Sequence, residues 1–243
     1  MNLIIDVGNT RTKLAVFKNN SLECKEIVET SKVLKGIKGL KKTYPKVKSA
    51  ILSSVGYVEQ DVLIYLNRHF KLIELNHETK TPFKNLYTTP KTLGIDRIAL
   101  VSGSVQQFPD KNVLIIDAGT CVTFDFINNK NEYLGGAISP GIRMRYKALN
   151  NQTANLPLLE TELPDDLIGN STETSINSGV VNGILKEIDG VITEYKSRYS
   201  DLTIILTGGD ANFLSKQLKS SIFANSNFLL ESLNFILQYN TVK

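Results

Sequence analysis

The sequence predicts an α/β protein of two similarly folded domains, and three observations predict it. Short apolar runs of strand character alternate with stretches of helical spacing, a strand–turn–strand unit occurs twice, and 243 residues exceed the ~100–200 of a usual single domain. The first unit is NLIIDVGNTRTKLAVF at residues 2–17 and the second is NVLIIDAGTCVTFDF at residues 112–126. In each, an apolar strand ends on Asp, a small residue and Gly, a Thr follows in the turn, and a second strand returns. A unit repeated once, about a hundred positions on, indicates two domains and not a solenoid, whose repeats recur every ~20–50 residues. The boundary is expected near residues 109–112, giving domains 1–110 and 111–243.

Residues 2–7 are a nearly continuous apolar run rich in β-branched side chains, the pattern of a strand covered on both faces. Residues 12–18 read as its partner, so the chain opens on a β-hairpin with Gly8, Asn9 and Thr10 at the tip. Strands are expected at 22–28 and 50–55 and helices at 58–68 and 96–107, with Pro45, Pro82, Pro90 and Pro109 marking the breaks. After the second hairpin come a strand at 133–138, a Gly/Pro-marked turn at 139–141, a short helix to about residue 150 and a polar loop over 151–171. A long helix is expected over 172–199, because Ile176, Val180, Ile184, Ile188, Ile192 and Tyr195 form one apolar stripe, with Gly179 and Gly183 on a second face. The chain closes with a strand at 203–206, a Gly-Gly-Asp turn and two helices ending in LLESLNFILQY.

Composition excludes several classes. A hydrophobic content of 42% with 21% charged residues is that of a globular chain with a full core, which removes disordered and fibrous proteins. The net charge is +4, and Lys and Arg are scattered apart from a lysine cluster over 32–48, so no nucleic-acid partner is expected. Cys24 and Cys121 stand far apart in a chain too large to need a covalent staple; a reducing compartment fits better than a disulfide framework. No apolar run approaches the ~18 residues of a spanning helix, and no basic segment leads into an apolar stretch at the N-terminus. A cytoplasmic chain with no membrane partner is expected.

Four motifs carry chemistry. In Asp6-Val7-Gly8-Asn9-Thr10-Arg11-Thr12-Lys13, glycine permits the close backbone approach and clustered N–H donors that phosphates need. A carboxylate at the strand end can hold a hydrated divalent cation, and Lys13 adds positive charge. Asp117-Ala118-Gly119-Thr120 repeats the pattern. Either motif alone is also what a polar hairpin turn requires; two Asp-ended hairpins facing each other would grip a metal-bound polyphosphate from both sides. In Leu93-Gly94-Ile95-Asp96-Arg97, the Asp can simply complement a helix dipole. Beside an arginine that binds a substrate anion, it can equally take a proton from an alcohol. Fourth, GGAISPG at 135–141 and TGGDA at 207–211 place glycines after strands, where a nucleotide can lie on backbone; a plain turn and a helix cap at Asp210 are the alternative.

DVGNTRTK, Tyr87 and Pro90 ahead of LGIDR, DAGTCVT, GGAISPG and TGGDA, in this order over residues 6–211, resemble the type III pantothenate kinases of the sugar kinase/heat-shock protein/actin superfamily. LGIDR discriminates best, because the two Asp-Gly-Thr loops are shared across the superfamily. The resemblance implies two RNase H-like (actin-like ATPase) domains, with mixed β-sheets flanked by helices and an ATP cleft between them. The activity it implies is ATP-dependent phosphorylation of pantothenate to 4'-phosphopantothenate, the first step of coenzyme A biosynthesis.

Residue by residue, the resemblance implies that Asp6, Val7, Gly8, Asn9, Thr10, Arg11, Thr12 and Lys13 bind the ATP phosphates, assisted by Thr120. Asp6 would serve Mg2+ through water, and Asp117 a monovalent cation, K+ or NH4+. Asp96 corresponds to the proton acceptor, and Tyr87, Gly94, Ile95, Asp96 and Arg97 to the pantothenate-binding set. A substrate-contacting threonine matches Thr172, with Thr174 as a second candidate; Ser175 and Ile176 depart there from the commoner Ala-Met. Family members are homodimers, and the long helix is either an interface element or an internal core helix. Two other readings stand beside this one: a non-catalytic regulatory relative serving as a transcriptional accessory factor, and a kinase for another small hydroxy acid.

Overall fold

The computed structural model describes residues 1–8, 11–54 and 56–241. Contacts divide the chain into two compact units: Met1–Pro109 with Asn131–Tyr133 and Asn227–Lys243, and Asp110–Lys130 with Leu134–Ser226. The C-terminal segment thus groups with the first unit, whereas a linear division at residue 110 assigns it to the second.

The first unit runs β1 (Asn2–Val7), β2 (Arg11–Lys18), β3 (Ser21–Glu29), α1 (Val33–Thr43), β4 (Ser49–Ser54), α2 (Gln60–His69), β5 (Lys71–Glu74), β6 (Lys84–Asn85) and α3 (Ile95–Gln107). Its sheet has the order β3-β2-β1-β4-β5, with β1 antiparallel to β2 and parallel to β4. Side chains alternate along β1. Leu3, Ile5 and Val7 join a core with Val33, Ile37 and Leu40 of α1 and Val62 and Leu66 of α2, while Ile4 and Asp6 face the opposite side.

Helix α1 replaces what reads in sequence as a lysine cluster. Its apolar residues fall at i, i+4 and i+7, and Lys35, Lys38 and Lys42 are exposed on the outer face. Gly36, a poor helix former, lets the helix lie close to β2, since a Cβ there would come 2.6 Å from Leu14 Cδ1 and push that side chain aside.

The second unit comprises β7 (Asn112–Ala118), β8 (Cys121–Ile127), β9 (Glu132–Pro140), α4 (Ile142–Asn151), α5 (Thr172–Asn177), a π turn (Ser178–Asn182), α6 (Gly183–Arg198), β10 (Leu202–Thr207), α7 (Ala211–Leu214) and β11 (Phe223–Ala224). The sheet order is β11-β10-β7-β8-β9-β6, in which β6 pairs with Glu132 and Tyr133 at the start of β9. Again the central strand, β7, has an antiparallel neighbour (β8) and a parallel one (β10), so the sequence repeat is a repeat of topology. The expected turn at 139–141 is instead the end of β9, which passes directly into α4. The helical run from Thr172 to Arg198 is continuous through its π turn, and Ile176, Val180, Ile184, Ile188 and Ile192 are buried in the core of their own unit. Tyr195 packs at the edge of that core.

Finally α8 (Phe228–Thr241) packs on α3, β1 and β4, covering the sheet face that carries Ile4. Close approach of α3 and α8 depends on Gly103, where a Cβ would lie 1.9 Å from Ser232 Oγ. Among the described residues, no helix is long and apolar enough to cross a membrane.

Candidate active site

In the first unit the β1–β2 hairpin presents Asp6 and Lys13 in direct register. Lys13 Nζ lies 3.4 Å from Asp6 Oδ2, and Gly8 N donates to the Arg11 carbonyl at 3.1 Å to close the loop. Asn9 and Thr10 lie outside the described residues. Arg11 is exposed. Val7 and Thr12 are not: Val7 belongs to the core, and Thr12 is 0% exposed with its hydroxyl donating to Thr30 Oγ1 at 3.5 Å. Their side chains are therefore spent on the fold, a role their place in the motif did not reveal. Thr30, which sequence reasoning missed, also donates to the Gly8 carbonyl at 3.3 Å and buttresses the loop.

Burial pushes the Asp6 carboxyl above its ordinary value, Lys13 draws it back down by charge and hydrogen bond, and the negative charge of Asp96 pushes it up further. The LGIDR turn is thus within electrostatic reach of the hairpin. Asp96 occupies the first turn of α3, half-buried, with Oδ1 accepting from Arg97 N at 2.9 Å. Gly94 must be glycine for this geometry, because a Cβ there would stand 2.5 Å from Asp96 Oδ1. Ile95 is half-buried. Arg97 is only 4% exposed, its guanidinium 5.7 Å from the Tyr87 ring centroid, and Tyr87 stacks in turn on buried Tyr133 at 6.1 Å. Tyr87, Gly94, Ile95, Asp96 and Arg97 thus form one cluster. His77, another residue the sequence did not flag, donates from Nε2 to the Leu93 carbonyl at 2.9 Å and anchors the turn.

In the second unit three glycine motifs converge. Gly119 N donates to the Cys121 carbonyl and Gly141 N to the Thr120 carbonyl, at 2.9 and 3.1 Å. A Cβ on Gly141 would come within 2.1 Å of the Gly119 carbonyl oxygen, and one on Gly208 within 2.4 Å of Asp117 Oδ1. Gly208 also holds φ of +98°, which L side chains rarely adopt. Asp117 is half-buried and Thr120 exposed.

Asp210 makes no side-chain cap, and burial pushes its carboxyl up. A raised carboxyl contributes stability that is fully present below the unfolded value and lost as pH rises through the folded one. Asp210→Asn is therefore expected to raise the melting temperature at pH 7, on the order of 1–2 °C, with no gain in acid below the ordinary aspartate value of 3.8. Thermal melts at the two pH values check it.

At the start of α5, Ser171 and Thr174 form a reciprocal capping box, with Thr174 N donating to Ser171 Oγ at 3.2 Å and Ser171 N to Thr174 Oγ1 at 2.9 Å. Thr172 stays exposed and lines an open groove of about 740 Å³ with Leu149, Leu156 and Asn170.

The profile of the type III pantothenate kinase family matches residues 2–194. The chain belongs to the type III pantothenate kinase family. A member from Christiangramia forsetii is 52% identical over 240 residues, spanning 99% of each chain. Among solved structures, a Campylobacter jejuni protein described as a Baf family transcriptional activator aligns with a TM-score of 0.64 at 21% identity, over 98% of both chains. A ROK family glucokinase from Streptomyces griseus, solved with glucose and AMPPNP, aligns with a TM-score of 0.55 at 10% identity, over 98% of this chain and 99% of its own. At such identities these two speak for the fold alone, which is that of the actin-like ATPases and sugar kinases, as the family resemblance implies.

Proposed function

We propose that this chain transfers the γ-phosphoryl group of ATP to the primary hydroxyl of pantothenate, yielding 4'-phosphopantothenate and ADP for coenzyme A synthesis. The observation that carries the reading is the cluster at the start of α3, where Asp96 stands beside an Arg97 packed on Tyr87, within electrostatic reach of Asp6. One oxygen of Asp96 is held by its own helix turn. The other is left to accept the alcohol proton as the hydroxyl attacks in line. Arg97, fixed against Tyr87, supplies positive charge for the pantothenate carboxylate. Gly8, the loop N–H groups and Lys13 take the phosphates, so most of the acceleration comes from positioning and charge neutralisation.

A divalent cation accompanies ATP in kinases of this family, and Asp6 suits Mg2+. That ion is usually held by one or two carboxylates plus phosphates and its own waters, and among the described residues no three His, Cys, Asp or Glu side chains are grouped to cage a metal. When bound, it neutralises charge on the β- and γ-phosphates. Asp117 suits a monovalent cation for a different reason: Thr123, not a lysine, holds the register position opposite it that Lys13 holds opposite Asp6. With Thr174 committed to the helix cap, Thr172 is the threonine available to substrate. We assign the active form as a cytoplasmic homodimer.

Purified protein with ATP, Mg2+ and K+ is expected to release ADP only when pantothenate is supplied, and other small hydroxy acids are expected to fail. Equal turnover with every hydroxy acid would remove pantothenate from the reading. Asp117→Asn should blunt the response to K+; a wild-type enzyme indifferent to exchange of K+ for Na+ would remove the cation from Asp117.

A further inference from the structure

Beside each acidic hairpin residue stands a buried hydroxyl that the fold itself does not use. The parallel register of β1 with β4 sets Ser53 next to Asp6, and that of β7 with β10 sets Thr207 next to Asp117. Ser53 is 0% exposed and Thr207 1%, and neither hydroxyl has a hydrogen-bond partner among the described residues. A third such hydroxyl, that of Thr123, lies opposite Asp117 on β8. Burying a hydroxyl without a partner costs stability, which Ala or Val at the same position would recover. Neighbouring residues along these strands, Ile51 and Leu52 or Ile205 and Leu206, are apolar and fully packed. The two hydroxyls therefore run against packing, and they do so at the same place in both halves of a repeated topology.

Geometry shows what each hydroxyl can reach. Paired residues on adjacent strands lie roughly 5 Å apart and share one face of the sheet, so a side-chain rotation brings a hydroxyl to the neighbouring carboxylate. Lys13 engages Asp6 Oδ2, and among the described residues Asp6 Oδ1 has no hydrogen bond. Asp117 Oδ1 leans towards the end of β10, against Gly208, the residue after Thr207.

We propose that Ser53 and Thr207 are positioning residues for Asp6 and Asp117, each donating a hydrogen bond to its neighbouring carboxylate in the nucleotide-bound state. Ser53 then holds Asp6 in orientation when Lys13 turns to the phosphates, and Thr207 does the same for Asp117. The assignment rests on the reading of both hairpins as phosphate-binding elements.

The test uses Ser53→Ala, Thr207→Val, which keeps shape and removes only the hydroxyl, and Thr207→Ser, which restores it. Thermal melts of each variant without ligand accompany steady-state kinetics with varied ATP. Expected for Ser53→Ala and Thr207→Val is a fall in kcat/KM for ATP of ~10-fold or more, with a melting temperature equal to or above wild type. Thr207→Ser is expected to recover most of the activity. Kinetics within about two-fold of wild type for both variants would overturn the proposal, because hydroxyls bound to the transition-state machinery cannot be removed so cheaply. Losses that follow a lowered melting temperature would overturn it too, by showing an ordinary structural role. A wild type without pantothenate-dependent ADP release would instead sink the underlying kinase reading, and the proposal with it.

Discussion

Asp96→Asn is expected to lower kcat by ~10²-fold or more while leaving ATP affinity close to that of wild type. The substitution keeps shape and retains an amide oxygen able to accept from Arg97 N, so the first turn of α3 and its contact with Gly94 survive. What disappears is the basic oxygen. An amide cannot take the alcohol proton, and in a reaction whose acceleration comes mainly from positioning, that loss falls on the chemical step. The phosphate side of the site should be spared: Asp6 and Lys13 sit on another element, and removing the negative charge of Asp96 relieves part of the pressure that raises the Asp6 carboxyl. Steady-state turnover together with ATP titration of the resting enzyme separates the two effects. Near wild-type turnover would remove Asp96 from the proton-accepting role, and a matching loss of ATP affinity would recast it as part of the nucleotide site.

Much of the architecture was legible in the sequence because burial on both faces leaves a plain trace: NLIIDV and NVLIIDA are continuous apolar runs, and each proves to be the central strand of its sheet. The stripe from Ile176 to Ile192 likewise gave the long helix. Helix α1 stayed hidden because Gly36 and Gly39 lower its helix propensity and its lysines dominate the composition, although three apolar residues at helical spacing suffice once β2 is there to cover. The short strands β5, β6 and β11 carry too few residues for a period to show. No local signal assigns α8 to the first unit, since that placement is decided by packing against α3 through Gly103. At the site, the motif residues were legible but their division of labour was not. Thr12 and Lys13 are adjacent in sequence, yet alternation along β2 buries one against Thr30 and turns the other to Asp6. Ser53 and Thr207 sit in segments that read as ordinary strand ends, and only the register reveals that each neighbours a carboxylate.

Gly208→Ala is expected to carry a large cost, because backbone strain and close packing act there together. Its φ of +98° lies where an L residue is strained, and the added Cβ would come 2.2 Å from the Ala118 carbonyl oxygen, 2.4 Å from Asp117 Oδ1 and 2.6 Å from the Ala118 carbonyl carbon. Two of those three atoms are backbone of the central strand β7, which cannot swing aside as a flexible side chain would. Strain of ~1–3 kcal/mol and overpacking of similar size act together, a large share of a typical stability of ~5–15 kcal/mol. A fall in melting temperature of roughly 5–15 °C follows, with activity reduced beyond what the unfolded fraction explains, because the relief available is displacement of Asp117. Gly209→Ala supplies the control. The neighbouring glycine has nothing within 4 Å of its would-be Cβ, so the fold should tolerate the methyl group. If Gly209→Ala melts like wild type yet loses ATP affinity, the open space beside Gly209 is where nucleotide lies; if both variants melt and turn over like wild type, the close packing of β10 against Asp117 has no part in catalysis.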